Sequence, residues 1–165
     1  GPEMKSTGEV MGIDKDFGLA YAKSQMASQN SLPTKGLAFI SLKDRHKNEG
    51  VDLAKQLIKL GFTLCGTEGT ANRIIKNGIK CKKINKVSGG SPHIIDVLNS
   101  KKIALVINTG GGKRAYRIQD STSLRRSTLI NKVPYCTNMS TAYAFLEAIK
   151  SLKTKKIEVK SLQEI

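Results

Sequence analysis

The chain has 165 residues, 39% of them apolar, which suits one core plus an appendage. Its 28 basic and 13 acidic residues give a net charge of +15, so a nucleic-acid partner has to be weighed. The lysines are spread along the chain, however, and four Phe, four Tyr and no Trp make poor stacking platforms, so the charge reads as a solvated lysine-rich surface, with no nucleic acid as partner. There is no run of about 18 apolar residues to span a membrane. Gly1-Pro2-Glu3-Met4-Lys5 lacks the apolar stretch of a signal peptide. Three cysteines, with no C-x-x-C spacing, fit free buried thiols in a reducing cytoplasm.

Residues 13–29 are expected to be helical, because Phe17, Ala20, Tyr21, Ser24 and Gln25 recur at helical spacing behind Asp14 and Asp16. Residues 30–36, which contain Pro33 and Gly36, form a linker by composition. This divides the chain into an appendage, 1–34, and a domain, 35–165.

A regular alternation follows. Strand 37–42 leads to helix 47–60, with Val51, Ala54, Leu57 and Ile58 on one face. Strand 63–66 leads to helix 69–77, closed by Gly78. Strand 81–85 leads through Ser88-Gly89-Gly90-Ser91 to helix 92–99, opened by Pro92. Strand 104–107 is the most apolar and is expected at the centre of the sheet. Helix 122–131, a short strand 134–137, helix 141–150 and a last strand 157–162 complete the series. Such alternation predicts an α/β fold, a mostly parallel sheet between layers of helices. Ligands of such sheets sit off the carboxyl ends of the strands.

Two strand ends carry the chemistry. Gly66-Thr67-Glu68-Gly69-Thr70 runs from a strand straight into a helix. Its glycines let backbone approach a ligand, and its hydroxyls and the free helix amides favour an anion at one spot. The second, Asn108-Thr109-Gly110-Gly111-Gly112-Lys113-Arg114, follows the most apolar strand, and Lys86 lies just past the third. Together they suggest a phosphorylated small molecule. Taken singly, Lys47 and Lys86 read as solvated charges, Thr67 and Thr70 as helix caps, and Asn108 as a turn residue. Neither loop holds a carboxylate–histidine pair. His46 reads as solvated and His93 as a polar residue at a helix start. No acids or histidines have metal spacing. The expectation is a site that binds and reports, with no catalytic and no metal-binding residue.

Gly66-Thr67-Glu68-Gly69-Thr70, Asn85-Lys86-Val87, Pro92-His93-Ile94, Val106-Ile107-Asn108-Thr109 and Leu124-Arg125-Arg126 occur in that order. They resemble the methylglyoxal-synthase-like regulatory domain at the C-terminus of the large subunit of carbamoyl phosphate synthase. The resemblance runs from about Lys35 to the end, and residues 1–12 look like the last segment of that subunit's second ATP-grasp half. The fold it implies is a three-layer αβα sandwich on a five-stranded, mostly parallel sheet. The function it implies is allosteric: UMP- or IMP-type nucleotides bind at the strand ends, and ornithine activates some members. Carried over by position, Lys47, Thr67, Thr70 and Lys86 hold the phosphate, Asn108, Thr109 and Gly110 face ribose or base, and Thr137 lies at an ornithine site.

The resemblance also implies the surroundings. Partners are the ATP-grasp synthetase domains of the same polypeptide and a glutaminase small subunit, with homo-oligomerisation left open. The intact ligase makes carbamoyl phosphate from glutamine or ammonia, bicarbonate and magnesium-bound ATP, for pyrimidine and arginine synthesis. The chain by itself needs no cofactor and is expected to catalyse nothing. The sequence departs from the family at Gly110, where a second Thr is common, at a longer stretch around Tyr116-Arg117-Ile118-Gln119, and at Cys136, where a carboxylate is common. The alternatives are a methylglyoxal synthase-type lyase on the same fold and a stand-alone nucleotide-binding module. The lyase needs a carboxylate base after the third strand, and Ser88-Gly89-Gly90-Ser91-Pro92 supplies none; Asp96 comes a helical turn later.

Overall fold

The computed structural model describes residues 32–85, 93–100, 102–109 and 115–163, with side chains for all of these except 115–122 and 156–163. The expected helix 13–29, the appendage 1–34 up to Ser31, Lys86, the 88–91 turn, Pro92 and Gly110 lie outside the described residues.

Five strands form one sheet in the order β3-β2-β1-β4-β5. They are β1 Gly36–Ser41, β2 Phe62–Gly66, β3 Lys82–Lys83, β4 Ile103–Asn108 and β5 Tyr135–Cys136. Every pairing is parallel. The helices are α1 Lys47–Lys59, α2 Glu68–Lys76, α3 Ile94–Asn99, α4 Ala115–Ile130 and α5 Met139–Gln163, with a short 3-10 turn at Asp44–His46. This is the expected αβα sandwich, with the sheet wholly parallel.

Alternation along the strands makes two cores. Ala38, Ile40, Leu64, Leu105 and Ile107 pack with Leu53, Ala54 and Leu57 of α1, Ala71 and Ile74 of α2, and Phe145, Leu146 and Ile149 of α5. Phe39, Cys65, Ile103 and Val106 pack on the other face with Ile94 and Leu98 of α3 and Leu124 of α4. Each large side chain so removed from water contributes about 1.5–3 kcal/mol. Ile103 and Val106 share a face despite their odd spacing, because the β1–β4 register slips between Leu37 and Ala38.

Five expectations need correction. The middle strand of the sheet is β1, not the more apolar β4, which lies between β1 and the short edge strand β5 and is still covered on both faces. Residues 157–162 are helix, not strand: α5 runs unbroken to Gln163. The β-branched pair Ile157 and Val159, two residues apart, imitates a strand, but no Gly or Pro interrupts residues 139–163, and a helix propagates once nucleated. In α1 the buried partner of Val51, Ala54 and Leu57 is Leu53, while Ile58 is 41% exposed. The third strand is only Lys82–Lys83, an exposed pair at the sheet edge, where lysines and shortness discourage further pairing. Asn85 makes only an isolated bridge to His93. Helix α4 begins at Ala115, seven residues ahead of its expected start, because the polar residues before Thr122 hide its periodicity.

The start of α5 is fixed by Asn138, whose side-chain oxygen accepts the Thr141 N–H at 2.8 Å. The chain order reverses direction across the sheet at β1 and β4. A crevice opens at such a switch point beyond the carboxyl ends of the strands.

Candidate functional site

Ser41 ends β1 in register with Asn108, which ends β4. The next residue, Thr109, donates its N–H to the Ser41 carbonyl at 2.9 Å. Threonines from the loops after β2 and β4 then hold the segment after β1. The Thr67 hydroxyl donates to Ser41 Oγ at 3.1 Å. Thr70 Oγ1 accepts the Leu42 N–H at 3.0 Å. Thr109 Oγ1 accepts the Lys43 N–H at 3.1 Å and lies 3.0 Å from His46 Nδ1. Among the described residues five polar side chains are buried, and four of them are Thr67, Thr70, Asn108 and Thr109. Polar groups leave water only when paired, so this cluster is a built feature.

The helix-cap reading of Thr67 fails. Thr67 occupies the N-cap position of α2, but its side chain makes no capping bond. Its carbonyl accepts the Ala71 N–H at 2.8 Å, which leaves the first-turn amides without intrahelical partners. Two glycines keep this corner open. A Cβ at Gly66 would come 2.5 Å from the Ile40 carbonyl oxygen, and one at Gly69 would come 2.8 Å from Lys47 Nζ. The Lys47 ammonium therefore lies against the first turn of α2. Its neighbour is Asp44, with Nζ 2.6 Å from Oδ1; the lysine side chain is 17% exposed and the aspartate 97%. A cation at the positive end of a helix is electrostatically unfavourable unless an anion joins it.

The structure thus brings together four of the residues expected at the site after β2 and β4, namely Lys47, Thr67, Thr70 and Thr109, around the Ser41–His46 segment. Asn108 lies one residue away and turns to β5, donating from Nδ2 to the Tyr135 hydroxyl at 3.0 Å. Burial pushes the Tyr135 pKa up, against the Asn108 hydrogen bond and the Arg125 charge, so the phenol stays neutral. The Arg125 guanidinium lies 5.9 Å from the ring centroid. Thr137 is exposed just past β5.

Sequence reasoning missed Ser41 and Tyr135, whose roles depend on strand register, and it misjudged His46. That histidine is half-buried and bonded to Thr109, 63 residues away, so it is not simply solvated. His93 behaves as expected. The Ile95 N–H donates to His93 Nδ1 at 3.2 Å, while the His93 N–H donates to Asp96 Oδ2 at 3.0 Å, a reciprocal capping box at the start of α3. The three thiols are buried. Burial, with the Cys81 thiol adding, pushes Cys65 up to about 12; burial alone takes Cys136 to about 12 and Cys81 to about 11. None is a thiolate near neutral pH, so none is an activated nucleophile. Among the described residues, no helix is long and apolar enough to cross a membrane.

A family model described as "MGS-like domain" matches residues 49–137, more than half of the chain. The chain is 48% identical over 164 residues to the carbamoyl phosphate synthase large chain of Mesorhizobium japonicum, covering 99% of itself and 14% of that protein. It is 49% identical to the carbamoyl phosphate synthase large chain, C-terminal section, of Aquifex aeolicus, covering 100% of itself and 31% of that protein. The corresponding section from Methanopyrus kandleri is 47% identical, with 100% of this chain and 30% of that protein covered. The chain therefore spans less than a third of the length of these relatives.

Proposed function

The chain belongs to the MGS-like domain family, and from this premise we propose that it is the effector-binding regulatory section of a carbamoyl phosphate synthase large chain. The observation that carries the reading is the Lys47 ammonium held against the first turn of α2, beside Gly69 in the loop that carries the buried Thr67 and Thr70. An anion there satisfies the helix amides and the ammonium together. A nucleotide monophosphate of the UMP or IMP type supplies that anion. Its phosphate is held by Lys47, Thr67, Thr70 and Lys86. Its ribose or base meets Asn108, Thr109 and Gly110. Thr137 is the contact for ornithine at the adjoining sheet edge. Effector binding biases the ATP-grasp synthetase domains of the same polypeptide, which make carbamoyl phosphate with a glutaminase small subunit in the cytoplasm.

The lyase reading has less in its favour. Asp96, the first carboxylate in the chain after β3, accepts the His93 N–H in the capping box of a six-residue helix. A general base needs that carboxylate within reach of a substrate proton.

Thermal denaturation of the chain with UMP, IMP, UTP and inorganic phosphate tests the proposal. A ligand of the folded state at a hundred times its Kd raises stability by about 2.7 kcal/mol. The expected result is a raised melting temperature with UMP or IMP that Lys47→Ala diminishes. No shift with any of the four overturns the proposal.

A further inference from the structure

The hydroxyl of Thr109 has one hydrogen and two lone pairs. One lone pair receives the Lys43 N–H at 3.1 Å, and the other bond of this buried hydroxyl is to His46 Nδ1 at 3.0 Å. When Nδ1 is bare, Thr109 donates its only hydrogen to the ring. When Nδ1 carries hydrogen, the ring becomes the donor, both lone pairs of Thr109 are filled, and its hydrogen must find another acceptor. The bare neutral ring satisfies every bond seen around Thr109, and the imidazolium, with hydrogen on both nitrogens, leaves the Thr109 hydrogen to be placed elsewhere.

From this geometry we infer that His46 is a positioning residue for the proposed effector site. Protonation of its ring reverses the His46–Thr109 hydrogen bond and turns the Thr109 hydroxyl into a donor for the ribose or base of the ligand. The inference rests on the reading of that site given above. The charged residues nearest in the chain are Lys43, Asp44 and Arg45 before His46, and Lys47 and Glu49 in the first turn of α1; Asp44 and Lys47 pair with each other at 2.6 Å. The end of β4 facing His46 contributes the uncharged Thr109, with uncharged Asn108 beside it. Ligand and proton binding are linked: an acceptor ligand favours the protonated ring, so affinity rises as pH falls through the histidine range.

The test is calorimetric titration of UMP into the parent chain, His46→Asn and Thr109→Val, at about pH 8 and about pH 6, on either side of the usual histidine range. The UMP phosphate titrates near pH 6 in all three proteins, so ratios between proteins cancel it. A gained hydrogen bond to an uncharged acceptor predicts that the parent-to-variant affinity ratio rises about fivefold from the higher to the lower pH. Both variants should lack this extra pH dependence. Should His46→Asn fail to fold, Thr109→Val carries the comparison alone. A ratio that does not change with pH overturns the role of His46. If Thr109→Val keeps the parent's pH dependence, the ring acts by its charge and the route through the hydroxyl is wrong. If UMP binds the parent at neither pH, the effector-site reading itself falls, and this inference with it.

Discussion

Thr70 Oγ1 accepts the Leu42 amide proton at 3.0 Å, a buried hydrogen bond joining the first turn of α2 to the segment that follows β1. The residues are 28 apart in sequence, and the bond sets the distance between two of the three loops around the candidate site. It also explains why a hydroxyl is needed at a position only 2% exposed. The Leu42 amide has left the sheet ladder and would otherwise be orphaned.

Thr70→Val keeps the shape of the side chain and removes that acceptor. An unsatisfied buried N–H costs about 1–3 kcal/mol. For a chain of this size the melting temperature should fall by about 2–4 °C per kcal/mol. Calorimetry of the unliganded protein measures it, and an unchanged melting temperature would show that water replaces the hydroxyl.

Lys47→Ala should separate binding from stability. The Lys47–Asp44 pair has one fully solvated partner, and exposed pairs are worth about 0–1 kcal/mol. A charge-assisted bond to a ligand phosphate is worth about 1.5–3 kcal/mol. Urea denaturation should therefore barely move while the UMP Kd rises about tenfold. An equal Kd in parent and variant removes Lys47 from the site.

Gly66→Ala should damage the sheet at its ligand-facing end. The added Cβ meets the Ile40 carbonyl oxygen, a backbone atom that cannot swing away. Overpacking of this kind costs about 1–3 kcal/mol. A denaturation midpoint equal to the parent's would mean that β1 and β2 separate at no cost.

Alkaline pH should weaken the fold through its thiols. Burial raises Cys136 from 9.0 to about 12 and Cys65 likewise to about 12. The folded state therefore keeps protons that the unfolded chain releases. Their stabilising contribution is complete below pH 9.0 and is lost as pH rises to about 12. Each thiol adds a slope of up to about 1.4 kcal/mol per pH unit in that window. Denaturation between those limits should show a shallower decline in Cys136→Ala, and an identical decline would assign the alkaline loss to other groups.

The sequence by itself determined the order of strands and helices, because apolar periodicity and Gly punctuation are local signals. It also marked Gly66-Thr67-Glu68-Gly69-Thr70 as a strand-to-helix corner, since glycines, hydroxyls and helix amides coincide within five consecutive residues. It misjudged residues 157–162, where a short alternating pattern lost to a helix that no Gly or Pro interrupts. Tertiary structure alone decided which side chains meet. The Asn108–Tyr135 bond follows from two strands being neighbours, and the His46–Thr109 bond from loops brought together at the β1–β4 switch point. Tertiary structure also gave Thr67 its partner in Ser41 rather than a capping role. Such contacts are set by sheet order and register, which arise from the packing of the whole core. A hydrogen bond between residues dozens of positions apart leaves no periodic mark on the chain that makes it.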